Sequence, residues 1–286
     1  MRKIDFVKAV ASGNDFIILN YQLPITNYQL LAKKICDRKY GIGADGLLVL
    51  EKSKIADVRM RIFNPDGSEA QMCGNGARCV AFYFKSKISR QKSRDPDISS
   101  GKNQKSKISI ETKAGIIDSE VRGFNVKIKL TNPKDIKLNI PLKINNRILK
   151  VNFINTGVPH TVIFVEGLDK IDVVNLGRII RYHKKFMPQG TNVDFVEIKD
   201  DENIRIRTYE RGVEDETLSC GTGAVASAII SNIKYQINIE EKNYKVNVYT
   251  RDGEILRVYF ERKDKNFKNV WLEGKVKIVY KGVYYV

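Results

Sequence analysis

Two short motifs place a cysteine directly before a glycine-rich segment and an apolar run. The first is Met72-Cys73-Gly74-Asn75-Gly76-Ala77-Arg78-Cys79, and the second is Ser219-Cys220-Gly221-Thr222-Gly223-Ala224. The apolar runs predict helices that begin beside Cys73 and Cys220. A helix N-terminus exposes backbone N–H groups, which lower the pKa of a thiol and attract anions. Two such thiols suit a reaction that needs one acid and one base.

Proton transfer at a carbon is the chemistry that fits this pair best. Inversion requires a base that removes a proton from one face and an acid that returns a proton to the opposite face. For an amino-acid substrate, each helix N-terminus would hold the α-carboxylate and stabilise developing charge. No cofactor is required, and none is predicted. A metal site is disfavoured, because the chain has only two histidines, His160 and His183, and no C-x-x-C motif.

Two other interpretations of the cysteines stay open at this point. A single Cys-Gly-x-Gly motif is equally typical of a buried structural thiol before a turn. Cys73 and Cys220 could also form a disulfide switch. Amide and charged side chains near both cysteines argue against the switch: Asn64, Asn75, Asn192, Glu210 and Arg211.

The two halves of the chain repeat one order of features. In each half an Asp precedes a strand, a second strand alternates apolar and polar residues, and the cysteine motif follows. We match Asp45 with Asp194; their separations from the cysteines are 28 and 26 residues. This order predicts a duplicated α/β unit with a site between the halves.

The local patterns predict a strand-rich chain with a few helices. We expect a helix from the N-cap Asn27 to about Lys39, one from Cys73 that fades by about Lys87, and one over 176–184. Cys36 is predicted to be a core residue. Strands are predicted within 5–19 and at 47–50, 58–63, 108–112, 116–121, 126–130, 149–155, 161–165, 192–196, 204–209, 246–250, 255–260 and 270–280.

The segment Gly41-Ile42-Gly43-Ala44-Asp45-Gly46 matches G-x-G-x-x-G. A dinucleotide site requires a strand before that motif and a helix after it. Here the predicted order is the reverse, so we reject a nucleotide site.

The net charge of +17 allows binding to nucleic acid or to an anionic membrane. We favour a solvated basic surface, because the charge follows no nucleic-acid motif, and we predict no nucleic-acid or membrane partner. Residues 85–107 hold eight Lys or Arg and two Asp, and we interpret them as a surface insertion. The charged N-terminus and the four cysteines without a disulfide pattern predict a cytoplasmic protein.

Across nearly its whole length the chain resembles the diaminopimelate epimerase family. The matching residues are Gly13–Phe16, Phe63–Glu69, Met72–Cys79, Asn155–His160, Gly190–Val193, Tyr209–Gly212 and Ser219–Ala224. The resemblance implies cofactor-independent interconversion of LL- and meso-2,6-diaminopimelate, in lysine and peptidoglycan-precursor synthesis. It implies an α/β (α+β) fold of two pseudo-symmetric domains, each a curled, mostly antiparallel sheet or barrel around a central helix, with the site in the interdomain cleft. It also implies a homodimer.

The resemblance assigns domains and roles to this chain. The expected domains are residues 1–120 with the strand at about 276–286, and residues 121–275. Cys73 and Cys220 are the acid–base pair; from LL to meso, Cys220 accepts a proton and Cys73 donates one. The residues expected to bind substrate are Asn14, Asn64, Gly74, Asn75, Asn192, Glu210, Arg211, Gly221 and Thr222. His160 and Glu210 are expected to adjust the thiol pKa values.

Two positions depart from some members of that family. Gly46 stands where a substrate-binding Gln can occur, and Val158 where an Asn can occur. The nearest rival is a related two-cysteine racemase similar to proline racemase, in which the Glu210-Arg211 pair has no obvious use. Phenazine-type isomerases lack the cysteine pair, and a redox-regulated binding protein using the basic insertion is a rival of another class.

Overall fold

Alternating apolar residues give the chain a sheet-dominated architecture with four α-helices among the residues that the structure describes. The computed structural model describes residues 3–20, 27–92, 106–144, 147–235, 242–264 and 266–286. The chain divides into a first unit, Met1–Ile128 with Gly274–Val286, and a second unit, Lys129–Glu273. The units divide after residue 128, whereas the sequence analysis places its boundary after residue 120, inside the strand Gly115–Arg122.

The first unit contains nine strands and two helices in its described residues. The strands are β1 Lys3–Ala11, β2 Asn14–Leu19, β3 Gly46–Glu51, β4 Val58–Phe63, β5 Glu69–Ala70, β6 Ser106–Thr112, β7 Gly115–Arg122, β8 Asn125–Lys129 and β18 Lys277–Tyr285. The helices are α1 Tyr28–Ile35 and α2 Gly74–Lys92. β18 pairs antiparallel with β1, so the last strand completes the unit that the first strand begins.

The second unit repeats this plan with nine strands, two helices and a short 3-10 helix, Leu168–Lys170. The strands are β9 Lys134–Ile144, β10 Arg147–Asn155, β11 Pro159–Phe164, β12 Asn192–Ile198, β13 Asn203–Glu210, β14 Asp215–Thr217, β15 Lys242–Tyr249, β16 Ile255–Lys263 and β17 Asn266–Lys275. The helices are α3 Val173–Arg181 and α4 Gly221–Tyr235.

Strand pairing confirms the internal repeat. In the first unit, β2 is parallel to β3, β3 is antiparallel to β4, and β4 is parallel to β6. In the second unit, β11 is parallel to β12, β12 is antiparallel to β13, and β13 is parallel to β15. Among the described strands, these pairings do not close into a barrel, so the barrel alternative in the predicted fold is not realised.

The registers also identify equivalent residues. The pair Phe16 and Gly46 in the first unit corresponds to the pair His160 and Asn192 in the second. The pair Leu47 and Phe63 likewise corresponds to the pair Val193 and Tyr209. Leu48 is therefore the equivalent of Asp194, and the match between Asp45 and Asp194 is wrong. The similar separations of Asp45 and Asp194 from the cysteines were misleading. The equivalent residues Leu48 and Asp194 precede Cys73 and Cys220 by 25 and 26 residues, because the turn before Cys220 is one residue longer.

In each unit one helix packs on each face of the sheet. Leu47 and Val49 share a buried cluster with α1, while Leu48 lies within reach of Gly76 of α2 on the other face. In the second unit, Val193 and Phe195 pack with α3. Since side chains alternate along a strand, Asp194 faces α4. The core helices α2 and α4 begin at the two cysteine motifs, so the core of each unit fixes the position of one thiol.

Several local predictions differ from the structure. α1 has the predicted N-cap, in which Asn27 Oδ1 accepts from Leu30 N at 2.9 Å, but it ends at Ile35. Cys36 is buried in the core, as predicted. α2 continues to Lys92, so the first part of the predicted insertion 85–107 is helical; residues 93–105 lie outside the described residues.

Of the described helices, none is long and apolar enough to cross a membrane.

Candidate functional site

Cys73 lies immediately before α2. Its carbonyl accepts from Ala77 N at 2.9 Å, and Gly76 N donates to its Sγ at 3.4 Å. The side chain is partly exposed. Gly74 begins the helix, so its N–H has no partner within the helix and points toward the N-terminal end. The structure therefore places an accessible thiol beside amide donors that suit an anion.

Asn75 and Asn14, both predicted to bind substrate, are in direct contact. Asn75 Nδ2 donates to Asn14 Oδ1 at 2.5 Å, and Asn14 Nδ2 donates to Asp45 Oδ2 at 3.3 Å. Arg78 donates to Asn75 Oδ1 at 2.6 Å and to Ser12 Oγ at 2.7 Å, and it is fully buried. The sequence analysis missed Arg78; the signal was an arginine inside the apolar run after Cys73.

Asn64 lies at the end of β4, in the turn that leads toward Cys73. Its Nδ2 donates to Ser68 Oγ at 2.9 Å, and its carbonyl accepts from Gly67 N at 2.9 Å. Asn64 is partly exposed. Its described contacts thus shape the turn.

Cys220 occupies the equivalent position before α4. Its carbonyl accepts from Ala224 N at 2.9 Å, and its Sγ lies 3.5 Å from Thr222 Oγ1. Gly221 begins the helix, as Gly74 does in the first unit. Burial raises the pKa of the Cys220 thiol well above its usual value, and the nearby Glu210 and Asp194 carboxylates add to this rise. The helix N-terminus was expected to lower this pKa; at Cys220 burial outweighs that effect.

Burial also raises the pKa of the Glu210 carboxyl, and the nearby His160 acts in the opposite direction. The raised pKa of the Cys220 thiol and the raised pKa of the Glu210 carboxyl have the same cause. Both groups lie where water cannot solvate a negative charge. Glu210 therefore belongs to the environment of Cys220.

His160 and Asn192 lie beside Thr222. His160 Nε2 is 3.0 Å from Thr222 Oγ1, and Nδ1 is 2.7 Å from Asp194 Oδ2. Asn192 Nδ2 donates to Pro159 O at 3.0 Å, and Asn192 Oδ1 accepts from Arg211 N at 2.8 Å. The second unit thus brings four predicted side chains together near Cys220, namely His160, Asn192, Glu210 and Thr222, and Arg211 contacts Asn192 through its backbone N–H.

Arg211 is partly exposed, and its Nη1 donates to Gln189 O at 2.9 Å. A guanidinium carries five N–H donors in a planar fork, so this bond leaves others for a ligand. Among the described residues, no group of three or more His, Cys, Asp or Glu side chains is placed to hold a metal ion.

A duplicated ion pair supports the turn that leads to each cysteine. Arg61 binds Glu69 through Nε–Oε1 at 2.8 Å and Nη2–Oε2 at 3.0 Å. Arg207 binds Glu216 through the same atoms at 2.7 and 2.8 Å. Each pair joins β4 to β5 or β13 to β14, and the sequence analysis missed both.

We expect Glu69 to make the stability of the first unit sensitive to acid. Arg61 lowers the pKa of the Glu69 carboxyl from 4.5 to about 2. A carboxyl whose pKa is lower in the folded chain stabilises the fold above its unfolded pKa, and this contribution is lost as pH falls through about 2. Glu69→Gln should therefore lower the urea midpoint at pH 7, and the difference from wild type should shrink at pH 3. Glu202→Gln, at an exposed position, is the control and should change neither midpoint. A difference that grows toward pH 3 would contradict the assignment.

Known proteins match nearly the whole chain. The family model described as "Diaminopimelate epimerase" matches residues 6–134 and 152–279. The diaminopimelate epimerase of Caldanaerobacter subterraneus subsp. tengcongensis is 40% identical over 294 residues, which cover 97% of this chain and 98% of the relative. That of Aquifex aeolicus is 39% identical over 293 residues, 98% of this chain and 97% of the relative.

Solved structures of other enzymes share the fold. A Bacillus anthracis phenazine biosynthesis protein of the PhzF family has a TM-score of 0.73 at 18% identity, with 100% of both chains covered. A hydroxyproline epimerase of Agrobacterium vitis has a TM-score of 0.68 at 14% identity, covering 99% of this chain and 92% of that chain. The structures establish the shared fold, and the family model together with the full-length relatives establishes more: the chain belongs to the diaminopimelate epimerase family.

Proposed function

We propose that this protein is a cofactor-independent isomerase that interconverts LL- and meso-2,6-diaminopimelate, in lysine and peptidoglycan-precursor synthesis. The observation that carries the proposal is the duplicated helix start, with Cys73 before α2 and Cys220 before α4. We take the identity of the substrate from membership of the diaminopimelate epimerase family.

The reaction we propose uses the two thiols as acid and base. One sulfur removes the α-proton as a thiolate, and the other returns a proton to the opposite face as a thiol. From LL to meso, Cys220 is the base and Cys73 is the acid. Because the pKa of Cys220 is raised, its thiol carries a proton before substrate binds. Action as a base therefore requires Cys220 first to pass that proton to a neighbouring group.

The backbone donors at the two helix starts suit the reacting carboxylate. We assign this role to Gly74 and Asn75 in the first unit and to Gly221 and Thr222 in the second. The remaining substrate contacts are assigned to Asn14, Asn64, Asn192, Glu210 and Arg211. The guanidinium of Arg211 suits the distal carboxylate, which can accept two parallel N–H bonds.

The proposal is tested by incubating the purified protein with LL-diaminopimelate in D₂O without pyridoxal phosphate. The expected result is deuterium at one α-carbon and formation of the meso isomer. A parallel incubation with L-proline tests the racemase alternative. Deuterium in proline and none in diaminopimelate would replace the proposed function with that alternative.

We also propose that the protein forms a homodimer through the outer face of β18. This strand pairs only with β1 among the described strands. On this face Val279, Val283 and Tyr285 are 49, 44 and 54% exposed and the basic Lys281 is exposed between them.

Sedimentation equilibrium tests the dimer. Val283→Lys should convert a dimer into a monomer, because a buried unpaired ammonium disfavours association. The exposed Ile148→Lys in β10 serves as control and should leave the dimer intact. A wild-type protein that sediments as a monomer would refute the proposed dimer.

A cytoplasmic location is proposed from the cysteines. All four are within the described residues and carry thiols, which persist in a reducing compartment. Fractionation of cells that make this protein tests the location.

A further inference from the structure

We propose that Asp194 is a positioning residue that holds His160 in its Nδ1–H tautomer and presents the Nε2 lone pair to Thr222 beside Cys220. The inference concerns the second unit alone, and its catalytic consequence rests on the proposed function.

The first observation is the burial and bonding of the carboxylate. Asp194 and His160 are both 0% exposed. Asp194 Oδ2 lies 2.7 Å from His160 Nδ1, and Oδ1 accepts from Thr208 Oγ1 at 2.8 Å. A carboxylate only accepts hydrogen bonds, so the proton between Asp194 and His160 belongs to Nδ1.

The second observation fixes the opposite side of the imidazole. Thr222 Oγ1 lies 3.0 Å from His160 Nε2, and Asn192 Nδ2 lies 3.5 Å from it. The amide of Asn192 is oriented independently, because Nδ2 donates to Pro159 O and Oδ1 accepts from Arg211 N. The Asn192 side chain therefore presents a donor to Nε2, which must accept.

The third observation comes from the repeat. The first unit has Phe16 at the position of His160 and Leu48 at the position of Asp194, and both are buried. The same fold is thus built with apolar residues at these two positions. A buried polar pair is costly to desolvate and adds little stability over apolar packing. The fold does not demand the pair, so its presence beside Cys220 indicates a role in the chemistry.

The consequence is a directed proton path from Cys220. Thr222 can accept from the Cys220 thiol at 3.5 Å while it donates to His160 Nε2. When Cys220 ionises, its S–H proton moves to Thr222 Oγ1 as the Thr222 hydroxyl proton moves to Nε2. The products are a thiolate, an unchanged threonine and an imidazolium that Asp194 stabilises. With the other tautomer, Nε2 would carry a proton and could not accept.

Nitrogen NMR of the imidazoles tests the tautomer directly. The chain has only two histidines, so ¹⁵N-histidine labelling gives two sets of signals, and His183→Gln identifies those of His160. The expected result at neutral pH is a protonated Nδ1 and an unprotonated Nε2 in the substrate-free protein. Signals of the Nε2–H tautomer would overturn the proposal, and this reading needs no variant of Asp194.

Kinetics of Asp194→Asn test the consequence. The amide can donate as well as accept, so it no longer selects Nδ1–H; replacing a carboxylate by an amide in a comparable histidine pair costs about 10⁴-fold. We expect kcat to fall by about 10²–10⁴-fold with KM changed by less than about threefold. Thr161→Val is the matched control, since it removes a buried hydroxyl of β11 that bonds to Thr191 and not to Asp194, and it should keep both kcat and the His160 signals. An unchanged kcat in Asp194→Asn would overturn the positioning role.

These readings separate the inference from the proposed function. A protein with the Nδ1–H tautomer that leaves diaminopimelate undeuterated would refute the function and retain the assignment of Asp194. A protein that turns over diaminopimelate with an Nε2–H imidazole would retain the function and refute the assignment.

Discussion

Replacement of Cys73 or Cys220 by alanine should lower kcat with diaminopimelate by about 10⁴-fold. In the proposed mechanism, each variant loses the group that exchanges a proton with one face of the α-carbon. Neither loss can be offset by the remaining thiol, because inversion needs both faces. The measurement is the rate of meso-isomer formation together with the rate of deuterium uptake from D₂O.

The chain supplies its own controls for this experiment. Cys36 and Cys79 are 2 and 0% exposed, and burial raises the pKa of both thiols. Cys36→Ala and Cys79→Ala should therefore keep kcat per folded molecule, although each removes some core packing. A Cys73→Ala or Cys220→Ala protein within tenfold of wild type would refute the two-thiol assignment.

The second large effect is expected at Gly223. A helical Gly→Ala change ordinarily stabilises by about 1 kcal/mol. At Gly223 a Cβ would overlap with Asp194 Oδ1 and would lie 3.3 Å from both Asp194 Cγ and Cys220 Cβ. Asp194 is fully buried, so either α4 or the carboxylate must move. We expect Gly223→Ala to lower the free energy of unfolding by about 1–3 kcal/mol and kcat by about 10²-fold through displacement of Cys220 and His160.

Gly76→Ala is the matched control in the first unit. A Cβ there would lie 3.1 Å from Leu48 Cδ2, the far end of a flexible side chain, and 3.6 Å from Cys73 Cβ. The loss in unfolding free energy, measured by urea titration, should be smaller than for Gly223→Ala. Equal losses at the two positions would show that the carboxylate is not the cause.

The sequence was sufficient to predict the two helix starts beside Cys73 and Cys220 for a physical reason. A cysteine, two glycines and an apolar run together determine a helix start, and that signal is local. Asn192 and Glu210, which lie in β12 and β13, were recognisable as polar residues in the stretch before Cys220. His160, in β11, was assigned from the family resemblance. Arg78 and the Arg61–Glu69 pair were missed because their partners lie on other strands, which only the sheet register brings together.

The role of Asp194 was missed through the repeat itself. It lies in the apolar run Val193-Asp194-Phe195-Val196, and a lone carboxylate in a buried strand was the available signal. Matching it to Asp45 concealed that signal. The strand register shows that Leu48 is the equivalent of Asp194. The position is apolar in the first unit and a carboxylate in the second, and this difference distinguishes Asp194.

Strand β9 was also beyond prediction from local patterns. Asp135 and Asn139 have φ of 56° and 55°, and the pairing of β9 with β10 shifts register twice. These irregularities and Pro141 hide the alternation on which strand prediction depends.

The predicted strand 270–280 is two strands, β17 and β18, which meet at Val276.

The pairing of β1 with β18 has a consequence for synthesis on the ribosome. Lys3 pairs with Tyr285, so the first unit cannot acquire its edge strand until residue 285 has left the exit tunnel. The second unit is continuous in sequence and has all its strands earlier. During translation, the half that carries Cys220 can therefore finish folding before the half that carries Cys73.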